Sequence, residues 1–281
     1  MATSLIIPIY NEVHNVNAFL DSILSQSELP CEIIFVDGGS TDGTVAALQK
    51  FGREEMSKKG VFITIISDVE FSKKRSVSPI AKSRNHGVAV AKYDKILCTD
   101  AGCILSADWV AEMSSLLKDS ELVVGRYSYV KRGIWSIILA RSFIPRPALF
   151  KTKDFLPSSR SIAFTKELFH KIGGYPEITF AGEDTLFAIK AKKQARAINV
   201  ACYSEVFWEL PNNYSQLFSK VYTYGASDRI SKITPGKYKL RTMFFIFFPL
   251  MIAWYFFRFK PISPIILGIQ LLGYWSTKKE V

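Results

Sequence analysis

The sequence predicts an α/β fold in which a largely parallel sheet carries helices on both faces. Short apolar runs alternate with segments of helical periodicity from residue 5 to residue 66, the pattern of repeated strand–helix–strand units. Two apolar runs end abruptly at an aspartate, Asp37 and Asp100. Because ligands of such sheets bind beyond the carboxyl ends of the strands, we expect both carboxylates to face one crevice.

Five elements of this pattern come from the first 66 residues. Apolar residues recur every three or four positions from Val13 to Leu24, which predicts a helix, and Pro30 excludes its continuation. A polar turn of residues 38–43 precedes the second helix. The predicted strands are residues 5–9, 32–36 and 61–66, and the predicted helices are residues 13–24 and 45–51.

A fourth strand, residues 96–98, leads into Thr99-Asp100-Ala101-Gly102. A carboxylate at this position can bind a divalent cation or a ribose hydroxyl, and the small residues Ala101 and Gly102 let a phosphate group approach the backbone. The alternative is an ordinary polar turn after a strand. The convergence of Asp37 with Asp100 favours the binding interpretation.

Two later segments carry charges that suit a phosphorylated ligand. Pro79 begins a predicted helix with Lys82 and Arg84, which either contact a pyrophosphate or form a solvated basic face. Glu183 and Asp184 begin another helix, where the helix dipole alone favours acids and where a carboxylate can also act as a general base. Further strands are predicted at residues 122–125, 158–164 and 197–206, and a short helix at residues 166–172.

Composition narrows the function classes. The net charge of +11 favours an anionic partner, namely nucleic acid, anionic lipid or a phosphorylated small molecule. Four scattered cysteines and three histidines lack metal-ligand spacing, which argues against a zinc enzyme and favours a reducing compartment. The basic residues are spread along the chain without a nucleic-acid-binding motif, so we do not expect nucleic acid as a partner. The amino terminus is interpreted as a first strand and not as a signal peptide.

The C-terminal region is strongly apolar. Residues 243–257 and 262–275 carry no charge, and basic residues flank both runs. A helix of about 15 residues reaches only about 22 Å, whereas a bilayer core is about 30 Å thick. A shallow hairpin or two interfacial helices therefore fit better than two full spans, and a dimerisation surface is the alternative. Residues 131–150 form a second basic, aromatic segment that suits either a membrane interface or a packed core.

The motifs, taken together, resemble those of family 2 inverting glycosyltransferases, which have the GT-A fold. The likeness covers residues 4 to 229 in collinear order. It depends on five pieces, none of them specific alone: residues 7–12 (Ile-Pro-Ile-Tyr-Asn-Glu), 33–44, 81–87, 99–102 and the Gly-Gly-Tyr-Pro of 173–176 before the Gly-Glu-Asp of 182–184. The resemblance implies a mixed sheet of the GT-A type, flanked by helices, that binds a nucleotide-sugar.

The resemblance also implies individual roles within a donor site and an acceptor site. The implied residues are Pro8, Tyr10 and Glu12 around the base and ribose, Asp37 at the nucleobase, Arg84 and Asn85 near the diphosphate, Asp100 and Ala101 at the donor and metal edge, and Asp184 with its neighbour Glu183 as the catalytic acids.

One position departs from the family pattern. The family binds its metal through Asp-X-Asp, and here Gly102 stands where the second acid is expected. We expect a divalent cation, Mg²⁺ or Mn²⁺, held by Asp100 with phosphate oxygens and water. A metal-independent variant that uses Arg84 and Lys82 is the alternative.

The sequence thus predicts a membrane-associated glycosyltransferase at the cytoplasmic face of the cell membrane. Residues 1–230 are expected to form the GT-A domain and residues 231–281 the membrane-associated hydrophobic helices. The donor is a nucleotide-sugar, and the expected acceptor is a lipid-linked glycan in the synthesis of a surface polysaccharide or glycoconjugate. Alternatives are transfer to a polyprenyl monophosphate, or a non-catalytic membrane-docked protein that binds nucleotide-sugars.

Overall fold

The computed structural model describes residues 2–67, 78–145, 147–151, 155–178, 182–231, 235–247 and 263–277. The chain forms two compact units. The sheet unit comprises Met1–Ser128, Arg146–Glu177 and Glu183–Glu209. The helical unit comprises Tyr129–Pro145, Ile178–Gly182 and Leu210–Val281.

The described strands form one eight-stranded mixed sheet in the order β3-β2-β1-β4-β7-β6-β8-β5. The first four of these in space are parallel to one another, and β7 joins β4 in the antiparallel sense. The strands are β1 Ser4–Ile9, β2 Glu32–Asp37, β3 Phe62–Ser67, β4 Lys95–Cys98, β5 Cys103–Leu105, β6 Leu122–Tyr129, β7 Ile162–Thr165 and β8 Ile198–Trp208.

Helices connect these strands and build the second unit. In chain order they are α1 Val16–Leu24, α2 Thr44–Phe51, α3 Pro79–Val90, α4 Trp109–Leu116, α5 Gly133–Phe143, α6 Lys166–Ile172, α7 Glu183–Gln194, α8 Tyr214–Ile230, α9 Pro235–Phe247 and α10 Ser263–Ser276.

The two central strands are buried along their whole length. Every residue of β1 and of β2 is inaccessible to solvent or nearly so, as expected for parallel strands covered on both faces. Helix α3 packs closely on this layer at Gly87, where a Cβ atom would lie 2.5 Å from Cγ2 of Ile6. Glycine is required there because the helix backbone almost touches the strand side chain.

Strand register brings the predicted site to one edge of the sheet. Ile9 is paired with Asp37, and Ile6 with Cys98, so Asp37 and Asp100 both lie at the carboxyl edge of the parallel strands. They belong to strands on either side of β1, about 10 Å apart at the usual strand spacing. The pairing of β1 with β4 ends at Ile6. Pro8 lies beyond this pairing, so its missing N–H group costs no hydrogen bond with β4.

The strand predicted at residues 158–164 is wrong at its start. Strand β7 is Ile162–Thr165, and residues before it form a turn closed by a hydrogen bond from the Ser161 N–H to the Ser158 carbonyl. The partner strand β4 ends at Cys98, opposite Ile162. No ladder remains to extend the strand, and the turn carries Ser158 and Arg160 towards Asp100.

In the helical unit, α8 and α10 cross at very short range. A Cβ atom on Gly225 would lie 1.9 Å from the carbonyl oxygen of Gln270, and one on Gly273 would lie 2.1 Å from that of Tyr222. Helix α5 adds Leu139, which is buried with side chains of α8. The crossing therefore depends on glycine in both helices.

The predicted apolar tail is only partly described. Residues 243–247 belong to α9 and residues 263–275 to α10, whereas residues 248–262 lie outside the described residues. In the part of the chain that the structure describes, none of the helices has the length and apolar character needed to cross a bilayer.

Candidate active site

Asp100 is the centre of a connected group of charged side chains in the sheet unit. It lies two residues beyond the end of β4, and its carboxylate is part-exposed, with 27% of the side chain accessible. Oδ1 accepts a hydrogen bond of 2.7 Å from Nη2 of Arg84. Oδ2 lies 3.8 Å from Nε of Arg160. Two guanidinium groups therefore approach one carboxylate.

Arg84 joins Asp100 to the start of α7. Its Nη1 donates to Oε1 of Glu183 at 2.8 Å, and only 3% of its side chain is exposed. The guanidinium lies 5.2 Å from the ring centre of the buried Tyr175. Burial alone would lower the pKa of Arg84, but the adjacent carboxylates of Asp100 and Glu183 outweigh it and raise the pKa well above its ordinary value. Arg84 is therefore a permanent buried cation.

The two acids at the start of α7 have different surroundings. Glu183 is buried, and burial together with the charge of Asp184 raises its pKa, against the opposing effect of Arg84. Asp184 is only half-buried, and its Oδ2 lies 3.4 Å from Oγ of Ser158. Asp184 is therefore the more accessible of the two acids, while Glu183 is bonded to Arg84.

A second connection, absent from the sequence predictions, runs from Asp100 through Arg160 to Asp184. Nη1 of Arg160 donates to Oγ of Ser158 at 2.9 Å, and Ser158 contacts Asp184. The register of β4 with β7 pairs Cys98 with Ile162, so two residues further on Arg160 lies opposite Asp100. Sequence reasoning missed Arg160 and Ser158 because the signal is a long-range antiparallel register and not a local motif.

At the carboxyl ends of β1 and β2, the residues predicted to bind the base and ribose lie around one loop. The Asp37 carboxylate accepts hydrogen bonds from the N–H groups of Gly39 and Ser40, each at 3.0 Å, and from the Ser40 hydroxyl. Tyr10 lies over Gly38 with more than half of its surface exposed. The backbone N–H of Glu12 donates to Oγ1 of Thr44. The loop after β1 and the loop after β2 thus form one hydrogen-bonded rim.

Three other residues predicted for the donor site are buried or bonded within the protein. Asn85 uses its whole amide on a turn: Nδ2 donates to the Tyr175 carbonyl and to Glu177, and Oδ1 accepts from the Tyr175 N–H. Ala101 and Pro8 are buried beside the edge. Their roles in donor binding stay predictions. The contact of Arg84 with a diphosphate also stays a prediction, and both terminal nitrogens of Arg84 are bonded to acids.

The residues around Asp100 do not fit a divalent cation held by the protein alone. Such ions take several oxygen ligands, whereas one oxygen of Asp100 is bonded to Arg84 and the other faces Arg160. Gly102 supplies no side chain at the second acid position. No three His, Cys, Asp or Glu side chains converge suitably among the described residues. The expected dependence on Mg²⁺ or Mn²⁺ stays a prediction.

Comparison with known sequences identifies a family and relatives of this chain. The family model described as glycosyl transferase family 2 matches residues 4–173. The glycosyltransferase GlyG of Streptococcus pneumoniae is 26% identical over 126 residues, which are 44% of this chain and 38% of that protein. The poly-beta-1,6-N-acetyl-D-glucosamine synthase of Staphylococcus epidermidis is 29% identical over 105 residues, 37% of this chain and 23% of that protein. The chain thus spans well under half the length of these relatives.

Solved structures support the fold over nearly the whole chain. S. aureus TarS 1-349 in complex with UDP-GlcNAc superposes with a TM-score of 0.60 and 18% identity, covering 98% of this chain and 82% of that chain. The mannosyltransferase PcManGT from Pyrobaculum calidifontis, in complex with GDP-Man and Mn²⁺, gives 0.59 and 20%, covering 99% and 76%. At these identities the likeness shows the fold alone, and it confirms the predicted mixed α/β sheet of the GT-A type.

Proposed function

Because the chain belongs to glycosyl transferase family 2, we propose that it transfers a sugar from a nucleotide-sugar to an acceptor hydroxyl. The observation that carries this proposal is the closed set of contacts that links Asp100 to both acids of α7, through Arg84 on one side and through Arg160 and Ser158 on the other. These contacts hold Asp100 and Asp184 in one connected group, which supports the proposal because a displacement between two bound substrates requires fixed groups.

The proposed reaction needs one proton acceptor and one stabilised leaving group. The acceptor oxygen attacks the anomeric carbon and forms the new C–O bond while its proton passes to the Asp184 carboxylate. The bond from the anomeric carbon to the diphosphate breaks, and its electron pair leaves with the nucleoside diphosphate. Attack from the face opposite the leaving group inverts the anomeric centre, which is the inverting outcome that the resemblance implies.

The proposed donor is a nucleoside-diphosphate sugar. TarS was solved with UDP-GlcNAc and PcManGT with GDP-Man, so related folds accept this class of ligand with either base. One relative is named as a synthase of poly-beta-1,6-N-acetyl-D-glucosamine. These names support a role for this chain in the synthesis of a surface polysaccharide or glycoconjugate.

The proposed acceptor is lipid-linked, and the proposed location is the cytoplasmic face of the cell membrane. Support comes from the helical unit, which exposes several large apolar side chains: Ile134, Tyr214, Phe218, Leu240, Met243, Ile265, Leu272 and Trp275. Basic side chains accompany them, including the exposed Lys131 and Lys239. This combination suits a surface of anionic lipid.

Substitution of Asp184 by Asn tests the assignment of the base. With the purified chain, a nucleotide-sugar donor and a lipid-linked hydroxyl acceptor, we expect Asp184→Asn to lower kcat by about 10²- to 10⁴-fold, the usual contribution of a general base. Donor affinity, measured by thermal shift, should change little because Asn keeps the shape of the side chain.

Two other outcomes would redirect the proposal. Full turnover in Asp184→Asn with a polyprenyl monophosphate would indicate an acceptor that is already ionised and needs no base. Donor binding by the unmodified chain without transfer or hydrolysis of any donor would indicate a non-catalytic nucleotide-sugar binder, the alternative that Gly102 suggests.

A further inference from the structure

We propose that Arg160 binds the diphosphate of the donor and supplies the positive charge that stabilises its departure, in place of a metal held by a second acid. This inference depends on the proposed function, because a diphosphate leaving group exists only if the donor is a nucleotide-sugar. It assigns the role to a residue that the sequence motifs do not contain.

The position of Arg160 is set by three contacts around its side chain. The guanidinium lies 4.1 Å from the ring centre of Trp208, donates from Nη1 to Ser158 and faces Asp100 through Nε. The backbone is fixed as well, because the Arg160 carbonyl accepts a hydrogen bond of 2.8 Å from the Thr99 hydroxyl. A guanidinium stacked on an aromatic ring and bonded at its edge has little freedom left to lose on binding a ligand.

Arg84, which the motif resemblance names for the diphosphate, is less suited to this role than Arg160. Its Nη1 and Nη2 are already bonded to Glu183 and Asp100, and 3% of its side chain is accessible. The Arg160 side chain is 18% exposed and lies beside the part-exposed Asp100. Of the two guanidinium groups at this carboxylate, only that of Arg160 therefore reaches solvent appreciably. Its planar set of N–H donors matches phosphate oxygens.

Gly102 explains why a fixed cation suits this site. The position is spacious, since a Cβ atom there would meet only Oε1 of Glu12, at 3.7 Å. An acidic side chain would fit sterically at position 102, yet the residue there is glycine. Because Asp100 already faces two arginines, a protein cation can neutralise the diphosphate directly, without a metal held between two acids.

Binding of a nucleoside diphosphate without metal tests this assignment. We would measure by calorimetry, in EDTA, the affinities of the unmodified chain for UDP and GDP and for uridine and guanosine. We expect one diphosphate to bind more tightly than its nucleoside. Arg160→Gln should weaken binding of that diphosphate by about 10- to 100-fold, the effect of losing charge-assisted hydrogen bonds, and leave nucleoside binding unchanged.

A matched control is available in the same unit. Arg126 is also part-buried, pairs with an acid (Glu205), donates to the Cys202 carbonyl and lies near an aromatic ring, Phe150. Arg126→Gln should leave the preference for diphosphate over nucleoside intact. If Arg160→Gln melts at a much lower temperature than the unmodified chain, Arg160→Lys is measured in its place. This variant keeps the charge and loses the planar guanidinium, so we expect an intermediate affinity for the diphosphate.

Gly102→Asp is the complementary variant, in which we expect a gain of metal-dependent diphosphate binding. It restores the second acid in open space, so we expect Mn²⁺ to strengthen diphosphate binding of this variant at least 10-fold more than that of the unmodified chain.

The outcomes separate the two proposals. If the unmodified chain binds neither diphosphate with or without Mn²⁺, the proposed function fails and this inference with it. If it binds one and Arg160→Gln binds it equally well, only the role of Arg160 is overturned. That role is likewise overturned if the unmodified chain loses the diphosphate in EDTA and regains it with Mn²⁺.

Discussion

At the scale of single residues, charge balance in the buried part of the site explains its architecture. Arg84 lies between Asp100 and Glu183 with no appreciable exposure. A cation so placed is stable only because both acids surround it, and the acids in turn depend on it. Arg84, which the motif resemblance offers as a ligand, therefore holds Asp100 and Glu183 in position.

We expect Arg84→Met to lower the free energy of unfolding by about 3–5 kcal/mol, because it leaves two acids facing each other without their buried partner. Urea denaturation measures this change. Arg196→Met is the control: Arg196 also contacts two acids, Glu121 and Glu167, but 68% of its side chain is exposed, so a much smaller loss than in Arg84→Met is expected. Equal losses in the two variants would contradict the buried-cation argument.

Glu112 gives a second prediction at this scale, with a defined pH dependence. Its carboxylate accepts hydrogen bonds from the N–H groups of Cys202, Tyr203 and Ser204. Burial would raise the pKa of Glu112, but these bonds and the Ser204 hydroxyl lower it below the ordinary value of 4.5. A lowered folded-state pKa stabilises the fold above the unfolded-state pKa, and this stabilisation is lost as pH falls through the folded-state pKa.

We therefore expect Glu112→Gln to cost about 1–3 kcal/mol at pH 7 and progressively less as the pH is lowered below 4.5. Urea denaturation at several pH values measures the difference. A cost that is constant with pH would show that the charge of Glu112 does not contribute.

At the scale of elements, the crossing of α8 and α10 is the feature most sensitive to substitution. Small residues let the two backbones approach, and the carbonyl oxygen of Gln270 occupies the space that a side chain on Gly225 would need. Any side chain there must push the helices apart.

We expect Gly225→Ala to destabilise the helical unit by about 1–3 kcal/mol, the usual cost of overpacking. Gly236→Ala, in α9, meets nothing within 4 Å and should be neutral or stabilising by up to about 1 kcal/mol, because alanine favours helix. Thermal unfolding followed by circular dichroism compares the two. Equal Tm values would show that α8 and α10 do not cross as described.

At the scale of the whole molecule, the proposed membrane binding draws on the net charge and on exposed apolar side chains. The chain has a net charge of +11, and in the helical unit the side chains of Ile134 and Leu240 are 72% and 68% exposed. Isolated exposed apolar residues are common in soluble proteins, so the experiment has to separate the two units. The predicted boundary at residue 230 also stays a prediction, although residues 210–230 pack with the C-terminal helices in one unit.

We expect the full chain to sediment with vesicles of phosphatidylglycerol and phosphatidylcholine, and less with phosphatidylcholine alone or at 1 M salt, where charges are screened within about 3 Å. The double change Ile134→Glu and Leu240→Glu should weaken binding. The matched change of Phe62→Glu and Tyr203→Glu, at exposed positions of the sheet unit, should not. Equal binding by both double variants would contradict docking through the helical unit.

The sequence alone determined the elements and the sheet edge, because these depend on local signals such as periodicity and helix-terminus chemistry. Alternating apolar and helical periods predicted the parallel half of the sheet. Asp37 at the end of β2 and Asp100 just beyond β4 predicted the edge where the candidate site lies. The start of α7 at Glu183 and Asp184 followed from helix-terminus chemistry. Five collinear motifs then pointed to the family that the comparisons show for residues 4–173.

Only the tertiary structure decided which charged groups meet. Arg160 lies 60 positions from Asp100 in the chain, and their encounter depends on the antiparallel register of β4 with β7 and on a turn that the sequence pattern suggested as strand. Burial separated Arg84 from Arg160, and Glu183 from Asp184, although each pair looks alike in sequence. Periodicity reports which face of an element is apolar, whereas register and burial are set by contacts between distant segments.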